Sequence, residues 1–325
     1  MIERVAILFL GTALDRLVGD PDWLWRRVPH PVVLVGWVID RLDQTLNRPD
    51  LGESSRWRSG IIAAGLLVGG ALFAGLLLST IFASLGLLGG LFEALVLAVF
   101  LAQKSLIDHV RAVERALGEG LETARRAVAM IVGRDPDALD EAGVCRAAIE
   151  SLAENASDGV VAPFLWYLVL GLPGLLAYKA VNTADSMIGH MNERYHAFGW
   201  ASAKLDDLMN WPAARLTALL IALSVGIHHR NRAEVGAALS IARRDAPLHR
   251  SPNAGWPEAA MAAALGLSLG GPRRYGNLEV EAPMLNAAGR RRAWLADIAA
   301  AIGLFKTAAN LLLAFAALLF IAAAL

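Results

Sequence analysis

Residues 60–103 limit this chain more than any other segment, because Glu93 is their only charged residue. About 20 apolar residues cross the hydrocarbon core of a bilayer, so the run is long enough to cross twice. Gly86, Gly89 and Gly90 interrupt it, which predicts two helices, over about 60–82 and 85–103, folded as a hairpin. Gly65, Gly69 and Gly70 are expected to let helix backbones approach closely. The composition points the same way. The 325 residues are 56% hydrophobic and 18% charged, with a mean hydropathy of +0.48, whereas soluble domains are roughly 45–50% apolar and about 25% charged.

Further apolar blocks follow the same logic. Residues 2–14 lack a small-x-small cleavage site and run into Asp15-Arg16, so they read as a retained hydrophobic helix rather than a signal peptide. Residues 160–181 carry Gly171-Leu172-Pro173-Gly174, and a proline among glycines breaks or kinks a helix. That block is a kinked span or a re-entrant hairpin broken at Pro173. Residues 212–227 form a shorter candidate span, opened by Pro212 at a helix start. Residues 256–271 are a weaker one, and 299–325 a good terminal span. The expected fold is all-α: a polytopic integral membrane helical protein, one membrane-embedded domain over 1–325, with a re-entrant or broken helix.

Between the blocks lie polar stretches at 15–59, 104–159, 182–211 and 228–297. Val110, Val113, Leu117 and Leu121 recur at helical spacing, so 104–159 reads as amphipathic helices. Arg125, Arg126, Arg134 and Arg146 are mixed with acids there. The first stretch is rich in arginine, including Arg26, Arg27, Arg56 and Arg58; the last holds Arg243, Arg244, Arg250, Arg273, Arg274 and Arg290-Arg291-Arg292. By the positive-inside rule both face the cytoplasm. A formal net charge of zero gives no reason to expect a nucleic-acid partner. Cys145 is the single cysteine, which excludes an intramolecular disulfide and a multi-thiolate metal cage within one chain.

Several polar segments have the composition of sites. Gly19-Asp20-Pro21 and Pro29-His30-Pro31 hold an acid and a histidine on backbone fixed by proline, although proline-rich turns leaving a membrane look similar. In Glu150-Ser151-Leu152-Ala153-Glu154-Asn155, followed by Asp158-Gly159, a helix would set Glu150, Glu154 and Asp158 on one face. Three acids there repel unless a cation joins them; the plain alternative is a solvated acidic face. In Tyr178-Lys179…Asn182-Thr183…Asp185-Ser186, ionisable groups end an apolar block, where they are costly unless paired. A structural Lys179–Asp185 pair would also account for them. Lys204, Asp206, Asp207, Asn210 and Arg215 add acids, an amide and cations suited to Mg²⁺ and phosphate, or to an ordinary solvated helix end. Ser251-Pro252-Asn253-Ala254-Gly255-Trp256-Pro257-Glu258 is a rigid turn opening a helix. His190, His196, His228 and His229 have no zinc spacing. No Walker A loop, dinucleotide fingerprint or nucleophile elbow is present.

Taken in order, these segments, with Asn210-Trp211-Pro212-Ala213-Ala214-Arg215, resemble the adenosylcobinamide-phosphate synthase family of cobalamin biosynthesis. The resemblance spans nearly the whole chain. It implies an ATP-dependent amide ligation of adenosylcobyric acid, a corrinoid substrate, with aminopropanol or its O-phosphate, giving ADP and phosphate. It also implies a multi-pass protein of the bacterial inner membrane, in contact with the lipid bilayer and with other membrane enzymes of late cobalamin assembly.

Chemistry then suggests roles. Mg²⁺ would be held by some of Glu150, Glu154, Asp158, Asp185, Asp206 and Asp207, with Lys179 or Lys204 on the transferring phosphoryl group. Asp20 or His30 would take the amine's proton, and Arg215 would grip a phosphate. Asn155, Asn182, Ser186, Asn210 and Asn253 would supply further substrate contacts. Trp166, Trp200, Trp211 and Trp256 are either corrin walls or interfacial anchors. For ATP chemistry the acidic segments must converge on the cytoplasmic side, which favours a re-entrant 160–181. An ion-coupled transporter and a non-catalytic sensor or assembly protein are the alternatives.

Overall fold

The computed structural model describes residues 2–133, 135–275 and 278–325, without the side chains at 22, 273–275 and 278–280. Arg134 and the side chains of Arg273 and Arg274 thus lie outside the described residues. The chain opens with α1 (Ile2–Leu17), α2 (Asp22–Trp25), α3 (Pro31–Leu46), α4 (Glu53–Ser84) and α5 (Leu87–Phe100). Next come α6 (Gln103–Glu119), α7 (Leu121–Ala129) and α8 (Glu141–Ala156), the last running into a π-helical turn, Ser157–Val161. Then follow α9 (Ala162–Leu170), α10 (Leu172–Ile188), α11 (Trp200–His228), α12 (Arg232–Asp245), a 3-10 turn (Ala246–Leu248) and α13 (Gly255–Leu265). Short strands β1 (Leu269–Gly270), β2 (Arg273–Tyr275), β3 (Leu278–Val280) and β4 (Met284–Leu285) precede α14 (Leu295–Ala324). β1 pairs antiparallel with β4, and β2 with β3, so a small β insertion joins an otherwise helical fold.

Among the described residues, four helical runs are long and apolar enough to cross a membrane: Glu53–Ser84, Leu87–Glu119, Trp200–His228 and Leu295–Ala324. Large apolar side chains on α4 point outward, among them Leu66 (58% exposed) and Phe73 (69%). A contiguous apolar face of this kind requires a partner or a bilayer, and on a 32-residue apolar helix that surrounding is lipid.

The chain reads in sequence as one domain, and contacts between Cα atoms divide it into two compact units. The first comprises Met1–Ala102, Ala162–Asn210 and Ala316–Leu325; the second comprises Gln103–Val161 and Trp211–Phe315. In the first unit, Ile39, Ala63, Leu67, Ala180, Ala184, Ile188 and Phe198 form a buried apolar cluster that joins α3, α4 and α10. The second unit contains amphipathic helices, as the helical spacing of Val110 and Val113 predicts. Val110, Val113 and Ala116 of α6 are buried, as are Ala124 and Val128 of α7.

Three local expectations are corrected. Gly65, Gly69 and Gly70 have nothing within 4 Å of a would-be Cβ. The close approaches on α4 are at Gly60, where a Cβ would lie 2.0 Å from the Phe198 carbonyl oxygen, and at Gly75, 2.4 Å from Pro173 Cα. At about 100° per residue, positions 60 and 75 share a face that 65, 69 and 70 do not. Pro212 does not open a helix; it lies inside α11, which starts at Trp200. Nearby carbonyls of α11 also accept from side chains, Met209 O from Trp166 Nε1 at 3.1 Å and Trp211 O from Arg215 Nη1 at 2.9 Å. The third concerns the break in 160–181, which falls at Gly171, with φ of +69°, rather than at Pro173. Proline needs no N–H partner in the first turn of a helix, so it starts α10.

α9 and α10 are 9 and 17 residues long and fold back on one another. A Cβ at Gly174 would lie 2.4 Å from Trp166 O. The first arm continues from α8 through the π-helical turn as one helical run over residues 141–170. Residues 256–271 do not span, since α13 has 11 residues. We expect Gly75→Leu to destabilise the protein by about 1–3 kcal/mol through overpacking against Pro173. Gly65→Leu should stay within about 0.5 kcal/mol, with both read as thermal unfolding in the same detergent.

Candidate functional site

The second unit contains a polar cleft of about 460 Å³ lined by Glu150, Ser151, Glu154, His249, Arg250 and Glu258, among others. Its acids stand on α8, whose start is set by Asp140, an N-cap accepting from Gly143 N–H at 2.7 Å. Glu150 is 5% exposed, and its Oε1 accepts the Gly270 N–H at 2.8 Å, so the β insertion orients it. Glu154, one turn on, is exposed. Asp158 sits in the π-helical turn and is not among the residues lining the cleft. Of the expected row of three acids, Glu150 and Glu154 line this cleft.

His249 and Glu258 face each other in the same cleft. His249 Nδ1 accepts the Ser251 N–H at 3.0 Å, which assigns the ring proton to Nε2. Nε2 lies 3.6 Å from Glu258 Oε1, and Glu258 is 1% exposed. The arrangement holds a buried carboxylate and an imidazole donor in fixed orientation beside the two α8 acids. Sequence reasoning missed His249, Arg250 and Ser151. The pairing of His249 with Glu258 crosses a turn and a helix start, and no helical or strand period relates the two positions.

Asp245 positions the segment that carries His249. Its carboxylate is 5% exposed, bridged by Arg244 at 2.6 and 2.8 Å, and accepts the Asn286 N–H at 2.7 Å. Asn286 in turn donates to Ala262 O and Leu267 O, tying α13 to the strands. The Arg244 guanidinium, with the Asn286 N–H, holds the Asp245 carboxyl below the usual carboxylate range.

The remaining expected residues of this unit are used as follows. Asn155 Nδ2 donates back to Ser151 O at 2.9 Å, and Ser151 Oγ donates to Ile131 O at 2.7 Å. Arg215 lies between the indoles of Trp211 and Trp256, 4.4 and 4.7 Å from their centroids. Its Nη1 donates to Asn253 Oδ1 at 3.0 Å. The structure thus brings Arg215 and Asn253 together and assigns Trp211 and Trp256 to stacking on the guanidinium.

In the first unit a buried polar chain links α10 and α11. Tyr178 OH donates to Asn210 Oδ1 at 2.9 Å, Asn210 Nδ2 to Asp206 Oδ2 at 2.9 Å, and Asn182 Nδ2 to Asp206 Oδ1 at 3.2 Å. Tyr178 and Asn210 are 0% and 2% exposed. Asp185 is near enough to interact electrostatically with Asp206. Asp207 turns away from this chain to Lys204, 3.5 Å from its Nζ on the exposed side, since neighbours on a helix point about 100° apart. Ser186 Oγ donates to Asn182 O at 3.0 Å within α10.

His30 caps α3, its Nδ1 accepting the Val32 N–H at 3.2 Å. Its Nε2 lies 3.8 Å from Asp20 Oδ1, and Trp25 meets the ring edge-on at 4.5 Å. Burial lowers the imidazole's pKa, Asp20 opposes that, and Lys179 adds to it. Asp20, His30 and Lys179 thus form one electrostatic group. Among the described residues, no cluster of three or more His, Cys, Asp or Glu side chains is arranged to hold a metal ion.

The fold and these polar groups define a class: a polytopic helical membrane protein with an acid-lined cleft borne on polar amphipathic helices. Comparison with known proteins makes this specific. A family model described as CobD/Cbib protein matches residues 8–305, and the chain belongs to that family. It is 59% identical over 310 residues to a cobalamin biosynthesis protein CobD of Sinorhizobium sp, covering 95% of this chain and 96% of the relative. Proteins of the same description are 55% identical in Rhizobium meliloti (strain 1021), over 97% of both chains, and in Brucella suis biovar 1 (strain 1330), over 95% of this chain and 94% of that one. No solved structure matches.

The pH dependence of stability tests the Asp245 anchor. A depressed carboxyl value contributes stability that is present above the ordinary carboxylate range and is lost as pH falls through the folded value. Asp245→Asn should therefore melt below the wild type at pH 7. The gap should close as pH falls below about 4, measured by scanning fluorimetry across pH.

Proposed function

We propose that this member of the CobD/Cbib family catalyses ATP-dependent amide formation between adenosylcobyric acid and aminopropanol or its O-phosphate. The observation that carries the reading is the cleft with Glu150, Glu154, Arg250 and the His249–Glu258 pair. A carboxylate is a poor electrophile; its oxygen attacks the γ-phosphorus of ATP, ADP leaves, and an acyl phosphate results. The neutral amine nitrogen then attacks the carbonyl carbon, phosphate leaves, and a base takes the nitrogen's proton. Phosphoryl transfer of this kind rests on positioning and neutralisation of charge.

Hard carboxylate oxygens on successive turns of α8 suit a Mg²⁺ that arrives with nucleotide, since such ions take one or two protein carboxylates and complete their shell with water and phosphates. Glu150 and Glu154 would hold it, and Arg250 would meet phosphate. The Arg-rich stretches favour the cytoplasmic side of a bacterial inner membrane for the cleft's helices, where ATP is available.

Purified protein given adenosylcobyric acid, aminopropanol phosphate, ATP and Mg²⁺ should form the amide with one ADP per product, read by mass spectrometry. No ATP-dependent product under conditions that support another family member would end this reading. Glu150→Gln and Glu154→Gln should each lower turnover roughly 10–100-fold. Lys204→Met, at an exposed pair with Asp207, should cost far less than either.

A further inference from the structure

The first unit holds a larger cavity, about 800 Å³, that none of the chemistry above uses. Glu3, Arg4 and Glu93 line it, together with Leu76, Phe82 and Leu319. Glu93, the lone charge of residues 60–103, accepts from Tyr167 OH at 2.7 Å. Arg4 Nη1 donates to Val169 O at 3.0 Å, so the guanidinium is fixed on the C-terminal end of α9 beside the Gly171 turn. An acid within an apolar span is costly and marks function by default.

Position separates this cavity from the polar groups already described. Glu3 and Arg4 start α1, whereas Asp20 follows its other end, about 24 Å away along the helix. Ser79, Phe82 and Ala83 of α4 line the cavity, about 35 Å along that helix from Arg56 and Arg58. Those arginines mark the cytoplasmic end, so the cavity opens at the opposite leaflet, where nucleotide is absent. Beside it Leu76, 59% exposed, and Leu318, 64% exposed, face lipid.

We propose that the cavity binds one phospholipid whose head group carries both a phosphate and a primary ammonium. Arg4 meets the phosphate, Glu93 and Glu3 accept from the ammonium, and the acyl chains run along the exposed apolar faces of α4 and α14. Two carboxylates around one guanidinium repel a head group that is only anionic and complement a zwitterionic one.

The test uses the full-length protein in nanodiscs of phosphatidylethanolamine or of phosphatidylglycerol, followed by detergent exchange and native mass spectrometry. The wild type should retain one phosphatidylethanolamine per chain and at least fivefold less phosphatidylglycerol. Glu93→Gln, which keeps a partner for Tyr167, and Arg4→Gln should each reduce that retention at least fivefold. Equal retention of the two lipids, or wild-type retention in both variants, overturns the proposal. Melting temperatures of the same samples identify a variant that misfolds. In that case Glu3→Gln, in the exposed first turn of α1, carries the same comparison, and undiminished retention there overturns the proposal as well.

Discussion

The α9–α10 hairpin exists at membrane depth because α4 gives it a surface with no side chain in the way. Gly75 admits Pro173, and Gly174 admits the Trp166 carbonyl. Each contact would be closed by a single methyl group. Backbone that breaks within a bilayer must be covered by protein, and here the break at Gly171 is met by Arg4 and flanked by the Val169 carbonyl that Arg4 binds. The hairpin's second arm then carries Tyr178, Lys179, Asn182 and Asp185. The polar chain of the first unit therefore depends on that glycine contact.

The second unit solves a different problem, which is to fix carboxylates that repel one another. Glu150 is held by a backbone N–H from the β insertion, and Glu258 is buried beside an imidazole whose tautomer is set by Ser251. Asp245, through Asn286, ties together the segments on both sides of His249. Hydrogen bonds to charged groups are stronger than neutral ones, so the same contacts that satisfy the acids also make the cleft rigid.

Much of the fold was legible in the residue order. The apolar blocks became α1, α4, α5, α11 and α14, and the valines of 104–121 became the buried stripe of α6. Asp20, His30, Asn182, Asp206, Arg215 and Asn253 were legible singly, because each lies in a segment whose composition is wrong for a connector, but their pairing was not. Nor could the facing of α4's glycines or the His249–Glu258 pair be read. Each depends on which neighbour is adjacent in space, and no sequence period encodes that.

The sequence by itself determined that this chain lives in a membrane, that it is helical, and that its polar segments carry acids, amides and cations in the order of the CobD/Cbib family. Hydrophobic length and motif order suffice for those conclusions because they are local or one-dimensional properties. Only the tertiary structure decided which acids share a cleft, which are spent on neighbouring cations, and that Glu93 belongs to a cavity with Arg4. Burial and electrostatic pairing are set by contacts between distant segments, and those contacts exist only once the helices have packed.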